Sequence, residues 1–218
     1  MPVIINMKSW CLLLLLVLVL LDKGHSQVEV RNLKTSNYNA QPSELYSISS
    51  NSDFEKRIGI KPIAESDCDV EIRFYTHEAL SNTKDLKILT LKNGIWKGIL
   101  YDELNYPIRR IRKYKLVARN GFGKLYDSLL ASNLTTLPSQ NELRQKMRKV
   151  TVRNGQEVEH RIDVTDGQSF AVEYQITGNQ RTFTFYNPEP YSKFYSNVQE
   201  LKDYIKIRNL FETELKKK

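Results

Sequence analysis

Beyond residue 26, Cys68, His77 and His160 are the only cysteine and histidines, the side chains that would serve as thiol nucleophile, imidazole base or the usual metal ligands. A cysteine nucleophile needs a base to take its proton and a third group to aim that base. No local signature ties these three together. The chain has no Gly-rich phosphate loop, paired-histidine motif, Gly-x-Ser-x-Gly elbow or Cys-x-x-Cys pair. His160 lies on the apolar side of an alternating stretch, where a satisfied core or edge histidine is expected. Cys68 is expected to be an inert thiol. The sequence therefore assigns no catalytic residue, metal or cofactor.

Two charged stretches remain. Glu65, Asp67, Asp69 and Glu71 alternate, which would line four carboxylates along one strand face as hard cations require. Calcium loops usually carry a turn-forming glycine and this one has none, so a solvated strand face is expected instead. Between Ile108 and Lys115 the chain places Arg109, Arg110, Arg112, Lys113 and Lys115 among two isoleucines and Tyr114. Cations beside an aromatic ring suit an anionic polymer or protein partner. The plainer account is a solvated edge strand whose cations oppose aggregation. An exported protein meets nucleic acid rarely, so none is expected.

Export is read from the first 26 residues. Lys8 precedes an unbroken apolar run from Leu12 to Leu21, and Gly24-His25-Ser26 offers small residues for cleavage after Ser26. Ten apolar residues fall well short of the ~20 needed to span a bilayer. The mature chain would keep 192 of the 218 residues, and a periplasmic, cell-surface or secreted location follows. Removing Lys8, Lys23 and Asp22 leaves 31 basic and 24 acidic side chains, a net charge of +7. Cys11 leaves with the signal, so Cys68 has no partner for an intramolecular disulfide and the core alone must hold the fold.

The elements that would carry these residues are mostly strands. Ser169 to Tyr186 alternates apolar and polar residues around Gly178-Asn179, the signature of a hairpin. With Gly178 and Asn179 as the turn, Tyr174 faces Phe183 and Val172 faces Phe185. Asn93-Gly94 marks a second hairpin with large residues on both faces, which must then be covered on both sides. Val70, Ile72 and Phe74 alternate with Glu71 and Arg73 in another strand. Asn154-Gly155 and Asp166-Gly167 mark turns of a four-strand meander from Lys149. With three-residue loops, its even positions (Val150, Val152, Val158, His160, Ile162, Phe170, Val172) share a dry face. Its odd positions, including Glu159 and Glu173, share a wet one.

Leu125, Leu129 and Asn133 space an amphipathic helix over 123–134, and Ser139 with Glu142 forms a capping box for a short one. A last helix carries Val198, Leu201, Tyr204, Ile205, Phe211 and Leu215 on one arc. Asn197 and Glu200 would cap its start, and Lys216 to Lys218 would sit at its C-terminal dipole. Tyr186 to Tyr195 is a proline- and tyrosine-rich turn expected to staple this helix to the sheet, with a contact patch as the alternative. Residues 27–68 read as an extended or poorly ordered arm with a short strand at Val28 to Arg31. Residues 69–218 read as a single domain.

The strand pair Val164-Thr165-Asp166-Gly167 through Tyr174, the Asn187-Pro188 close with Tyr191, and the helix from Ile207 to Phe211 resemble uncharacterised exported bacterial proteins. That resemblance spans about the last third of the mature chain and implies no catalytic residues. The expected fold is α+β, an antiparallel sheet whose apolar face is packed by a C-terminal helix and a shorter mid-chain helix. The expected function is that of an exported non-enzymatic binding or structural protein. The competing expectation is a secreted hydrolase whose site is assembled from loops.

Overall fold

The computed structural model describes residues 26–32, 43–78, 83–104, 108–165 and 167–218. The export segment expected over residues 1–26 lies outside them apart from Ser26. In chain order the elements are β1 (Ser26–Asn32), α1 (Ser43–Ile58), β2 (Val70–Glu78), β3 (Thr83–Lys92), β4 (Ile95–Leu104), β5 (Arg110–Ala118), α2 (Phe122–Ala131), β6 (Lys149–Arg153), β7 (Gln156–Val164), β8 (Gln168–Ile176), β9 (Asn179–Tyr186), α3 (Pro188–Phe194), α4 (Gln199–Thr213) and β10 (Leu215–Lys217). Seven strands form one antiparallel sheet in the order β10-β5-β4-β3-β2-β8-β9, and β1-β7-β6 form a second.

The period-two pattern explains the main core. Val70, Ile72 and Phe74 of β2, Leu89 of β3, Phe170 and Val172 of β8, and Phe183 and Phe185 of β9 all face one side. Leu125 and Leu129 of α2 and Leu201, Tyr204, Ile207 and Phe211 of α4 close over them. Phe74 stacks on Phe211 at 4.4 Å between ring centroids, and Phe185 on Tyr204 at 4.7 Å. Each such buried side chain contributes about 1.5–3 kcal/mol, far more than any surface contact of these helices. The α+β architecture, with both helices packed on one face of an antiparallel sheet, is thus as the sequence indicates.

The second hairpin is also as expected. Asn93 and Gly94 take φ of 51° and 74°, and Lys92 pairs with Ile95. Its two faces do go to different cores. Leu89 and Leu91 join the main one, while Leu86, Ile88, Ile99 and Tyr101 pack with Phe54 and Ile58 of α1. The segment read as an extended or poorly ordered arm therefore supplies α1, the cover of the second face. Its expected short strand is β1.

Several local features differ from the pattern expected. The central hairpin turns on Thr177-Gly178, at φ 46° and 83°, so Ile176 pairs with Asn179, Val172 with Phe183 and Phe170 with Phe185. The register moves by two residues, which leaves every side chain on its expected face. Glycine takes the second turn position, as it does after Asn93 and Asn154.

The meander breaks between β7 and β8. The second edge of β8 is taken by β2, matching Val70, Ile72 and Phe74 to Ile176, Tyr174 and Val172, and β7 pairs with β1 and β6 instead. Of the expected turn at Asp166-Gly167, Asp166 lies outside the described residues, and the strands on its two sides, β7 and β8, belong to different sheets. A Cβ on Gly167 would lie 1.7 Å from the Asn187 side chain, whose Oδ1 accepts from the Gln168 amide at 2.8 Å. Glycine is required there by that close approach. The turn at Asn154-Gly155 holds two residues, not three, and β6 lies at the edge of the small sheet with Val152 72% exposed.

Val198, not Asn197, precedes the first turn of α4. Lys216 and Lys217 form part of β10 and pair with Val117 and Leu116, so the lysine tail extends the sheet rather than the helix. The capping box is present, with the Ser139 amide donating to Glu142 Oε1 at 3.0 Å, but the helix it starts is a single 3-10 turn, Gln140–Leu143.

Candidate functional site

The residues singled out by type are kept apart by the fold. Cys68 precedes β2, exposed His77 lies near the other end of that strand, and His160 is on β7 of the small sheet, with Nε2 2.8 Å from Thr151 Oγ1. The alternating acids diverge as well. Asp67 pairs with Lys92, Asp69 Oδ2 accepts from the Asn93 amide at 3.1 Å, and Glu71 turns inward. Among the described residues no group of three or more His, Cys, Asp or Glu could hold a metal ion.

What the fold does gather is a polar cluster beneath α1. On β2, the residues between the core positions are Glu71, Arg73 and Tyr75, all buried. Helical spacing brings Asn51, Phe54, Glu55 and Ile58 to one side of α1, and Glu55 meets these residues. The Arg73 guanidinium, 3% exposed, bridges Glu55 and Glu71 and donates to the Lys61 carbonyl at 2.8 Å. The Tyr75 hydroxyl donates to Glu55 Oε1 and lies 3.3 Å from Glu173 Oε2 on β8, whose backbone pairs with Arg73. A second group lies along the same helix. Glu103, 1% exposed, takes a bidentate pair of hydrogen bonds from Arg57 at 2.8 and 3.0 Å, with Arg109 Nε at 3.7 Å and Lys84 opposite on β3.

Burial sets the electrostatics. It works against the charge of Arg73, yet Glu71, Tyr75 and Glu55 hold that guanidinium protonated well above its ordinary range. Burial, then the neighbouring Glu173 and Glu55 charges, pushes the Tyr75 phenol far upward. Burial likewise pushes Lys84 down to about 8 despite Glu103. Burial and the Glu55 charge push Glu173 up to about 7. With Glu55, Glu71 and Glu173 gathered around the Arg73 guanidinium, the cheapest charge state keeps a proton on Glu173. These groups are satisfied by one another beneath a helix, so the cluster is a docking device for α1.

A pH dependence follows. The unfolded chain releases the Glu173 proton near 4.5 and the folded chain near 7, so between those values the folded state binds the extra proton. Its contribution is complete below pH 4.5 and is lost as pH rises to 7, about 3 kcal/mol at most. Asp85, raised by burial and by Asp102, acts with the same sign. Lys84 acts only between about 8 and 10.5, where stability rises with pH. Hydrogen bonds from Lys206, Asn133 and Gln199 overcome burial to lower Asp203, whose contribution is lost only in stronger acid. Glu173→Gln should therefore match the parent in urea midpoint at pH 4.5 and exceed it at pH 7.5. Identical pH profiles for the two proteins would count against a buried protonated Glu173.

Of the expected basic surface, Arg110 and Arg112 stand on one face of β5, and Lys113 and Lys115 on the other. Arg109 turns toward Glu103, and Lys113 lies 5.3 Å above the Tyr101 ring. Arg110, Arg112 and Lys115 are exposed and make no ion pair with any described carboxylate. The tyrosine-rich turn is a staple, with Tyr191 and Tyr195 bonded to the backbone of Val164 and Ile162 and Tyr195 4% exposed. Two open surface hollows, of about 290 and 360 Å³, contain neither Cys68, the histidines nor the cluster. No helix among the described residues is long and apolar enough to cross a membrane.

The wet face expected for the odd positions is only partly wet. Glu159 is 6% exposed and pairs with Arg161 at 3.0 Å, and Glu173 lies against Tyr75. The available sequence signal was the apolar lower face of the Asn93-Gly94 hairpin, which required a cover, with Phe54 and Ile58 four residues apart to supply one. Comparison of the chain with protein-family models, curated proteins and solved structures returned no match.

Proposed function

We propose that this is an exported, non-enzymatic binding protein that takes an anionic partner on β5. The export segment supports the location, with its basic start, the apolar run Leu12 to Leu21 and small residues before Gln27. One observation carries the binding. Arg110, Arg112 and Lys115 are exposed on an outer strand and none forms an ion pair with a described carboxylate, although Asp102 lies opposite Arg112 on β4; Lys113 and half-buried Tyr114 are beside them. Exposed cations of one sign attract anions and lose that attraction as salt is added. The separation of Cys68, His77 and His160 supports a binding role over the hydrolase. So does the enclosure of the buried carboxylates beneath α1. The direct test is titration of the full chain with fluorescent dextran sulfate at low and moderate salt. Arg110→Glu with Arg112→Glu and Lys115→Glu should weaken binding at least ten-fold. Unchanged affinity would remove β5 as the site.

A further inference from the structure

We propose that the anionic partner is an acidic polypeptide segment that docks as an added antiparallel strand along β5 from Arg110 to Tyr114. This rests on the assignment of β5 as the anion-binding surface and specifies what binds there. Some outward backbone groups of β5 are already used. The Lys218 amide donates to the Lys115 carbonyl at 2.9 Å, and the Arg119 amide to the Glu214 carbonyl at 2.8 Å. Odd-numbered residues of β5 therefore aim their N–H and C=O groups away from β4, because both groups of a strand residue point the same way and alternate along the chain. Even-numbered residues face β4, where Arg110 pairs with Leu104, Arg112 with Asp102 and Tyr114 with Leu100.

Outward pairing by β10 reaches only Leu116 to Ala118, with Lys218 adding the Lys115 carbonyl. The amide and carbonyl groups of Ile111 and Lys113 thus point outward, and no described strand pairs with them. They form an open edge about 17 Å long, the length of an ordinary five-residue strand, in line with β10.

Side chains select the occupant. Arg110 and Arg112 flank the edge on one face, and Lys113 and Lys115 on the other, so an added strand meets cations whichever way its side chains point. A second copy of β5 would set arginine and lysine against their own kind, which is unfavourable across a strand pair. A sulfated or uronic glycan has the right charge, but its oxygens would face the outward carbonyls of Ile111 and Lys113 with no row of amide donors to match. An acidic peptide supplies both the charge and the alternating N–H groups, the recognition mode of strand addition.

The test uses the full chain and a fluorescein-labelled Glu-Val-Glu-Thr-Glu-Val-Glu peptide. A copy N-methylated at alternate amides has the same charge, and dextran sulfate serves as an amide-free polyanion. Ile111→Pro removes an outward N–H without changing charge, a substitution an edge strand tolerates. Circular dichroism checks that this variant folds, and the methylated peptide tests the unaltered protein in any case. Strand addition predicts peptide binding that weakens at least ten-fold on N-methylation and on Ile111→Pro, with dextran sulfate binding unchanged by the proline. Equal binding of both peptides, insensitive to Ile111→Pro but lost on Arg112→Glu with Lys113→Glu, overturns strand addition and keeps the anionic surface. Failure of peptide and dextran sulfate alike overturns both.

Discussion

Phe183→Ala should lower the free energy of unfolding by about 3–5 kcal/mol, while Thr184→Ala, one residue along, should cost less than about 1 kcal/mol. Phe183 is fully buried, pairs across the hairpin with Val172 and lies 6.2 Å from the Tyr204 ring and 6.3 Å from Phe185. Truncating it removes the apolar contact and leaves a cavity where β8, β9 and α4 meet, and neither helix nor sheet can collapse to fill it. Thr184 is half-buried on the opposite face, and its backbone amide still donates to Ser139 Oγ at 3.1 Å in the variant. The comparison needs only urea midpoints of two point variants. Equal midpoints would mean that the alternation has been assigned to the wrong faces.

That assignment was legible in the sequence because period two is insensitive to a two-residue shift of register. A turn on Thr177-Gly178 in place of Gly178-Asn179 shifts partners by two and preserves the dry side. Threonine at positive φ is unfavourable, so the turn residues alone argued against this choice. The neighbouring strand decides it, with Ile176 opposite Val70 and the Thr177 amide bonded to the Asp69 carbonyl at 3.1 Å. No local rule contains that information. The same holds for the break after β7. Val158 and Ile162 alternate as well as Val172 does, and only competition from Val70, Ile72 and Phe74 for the edge of β8 separates them.

The polar cluster was illegible for a different reason. Residues 43–58 are rich in serine, a poor residue for helix interiors, and the side of α1 that packs on the sheet includes Asn51 and Glu55. An amphipathic reading searches for an apolar stripe, and this helix buries charge instead. Glu71, Arg73 and Glu173 then read as solvent-facing because each is polar, although each has a partner in the fold. The basic stretch was legible as far as composition goes. Its division between two faces, and the diversion of Arg109 to Glu103, depend on the pairing of β5 with β4.

The strength of the cluster can be measured. Arg73→Met should cost about 3–5 kcal/mol, as large an effect as losing a core aromatic, because it strands buried carboxylates instead of merely deleting a contact. Arg73 is the bridge between Glu55 on the helix and Glu71 on the strand, and it also satisfies the Lys61 carbonyl. Methionine keeps most of the volume, so packing loss is small and the cost is electrostatic. Adding Glu55→Leu should recover part of it, since the second change removes one of the stranded charges and gives Phe54 and Ile58 an apolar neighbour. In a double-mutant cycle by urea denaturation at pH 7, the pair should be less destabilised than the sum of the single changes, by about 1–3 kcal/mol. Strict additivity, or a cost below about 1 kcal/mol for Arg73→Met, would mean that α1 is held by Phe54 and Ile58 alone. A buried ion pair is seldom more stabilising than the apolar residues that could replace it. What it adds is position, because Arg73 can bridge both carboxylates only when α1 sits at one rotation and one height above the sheet.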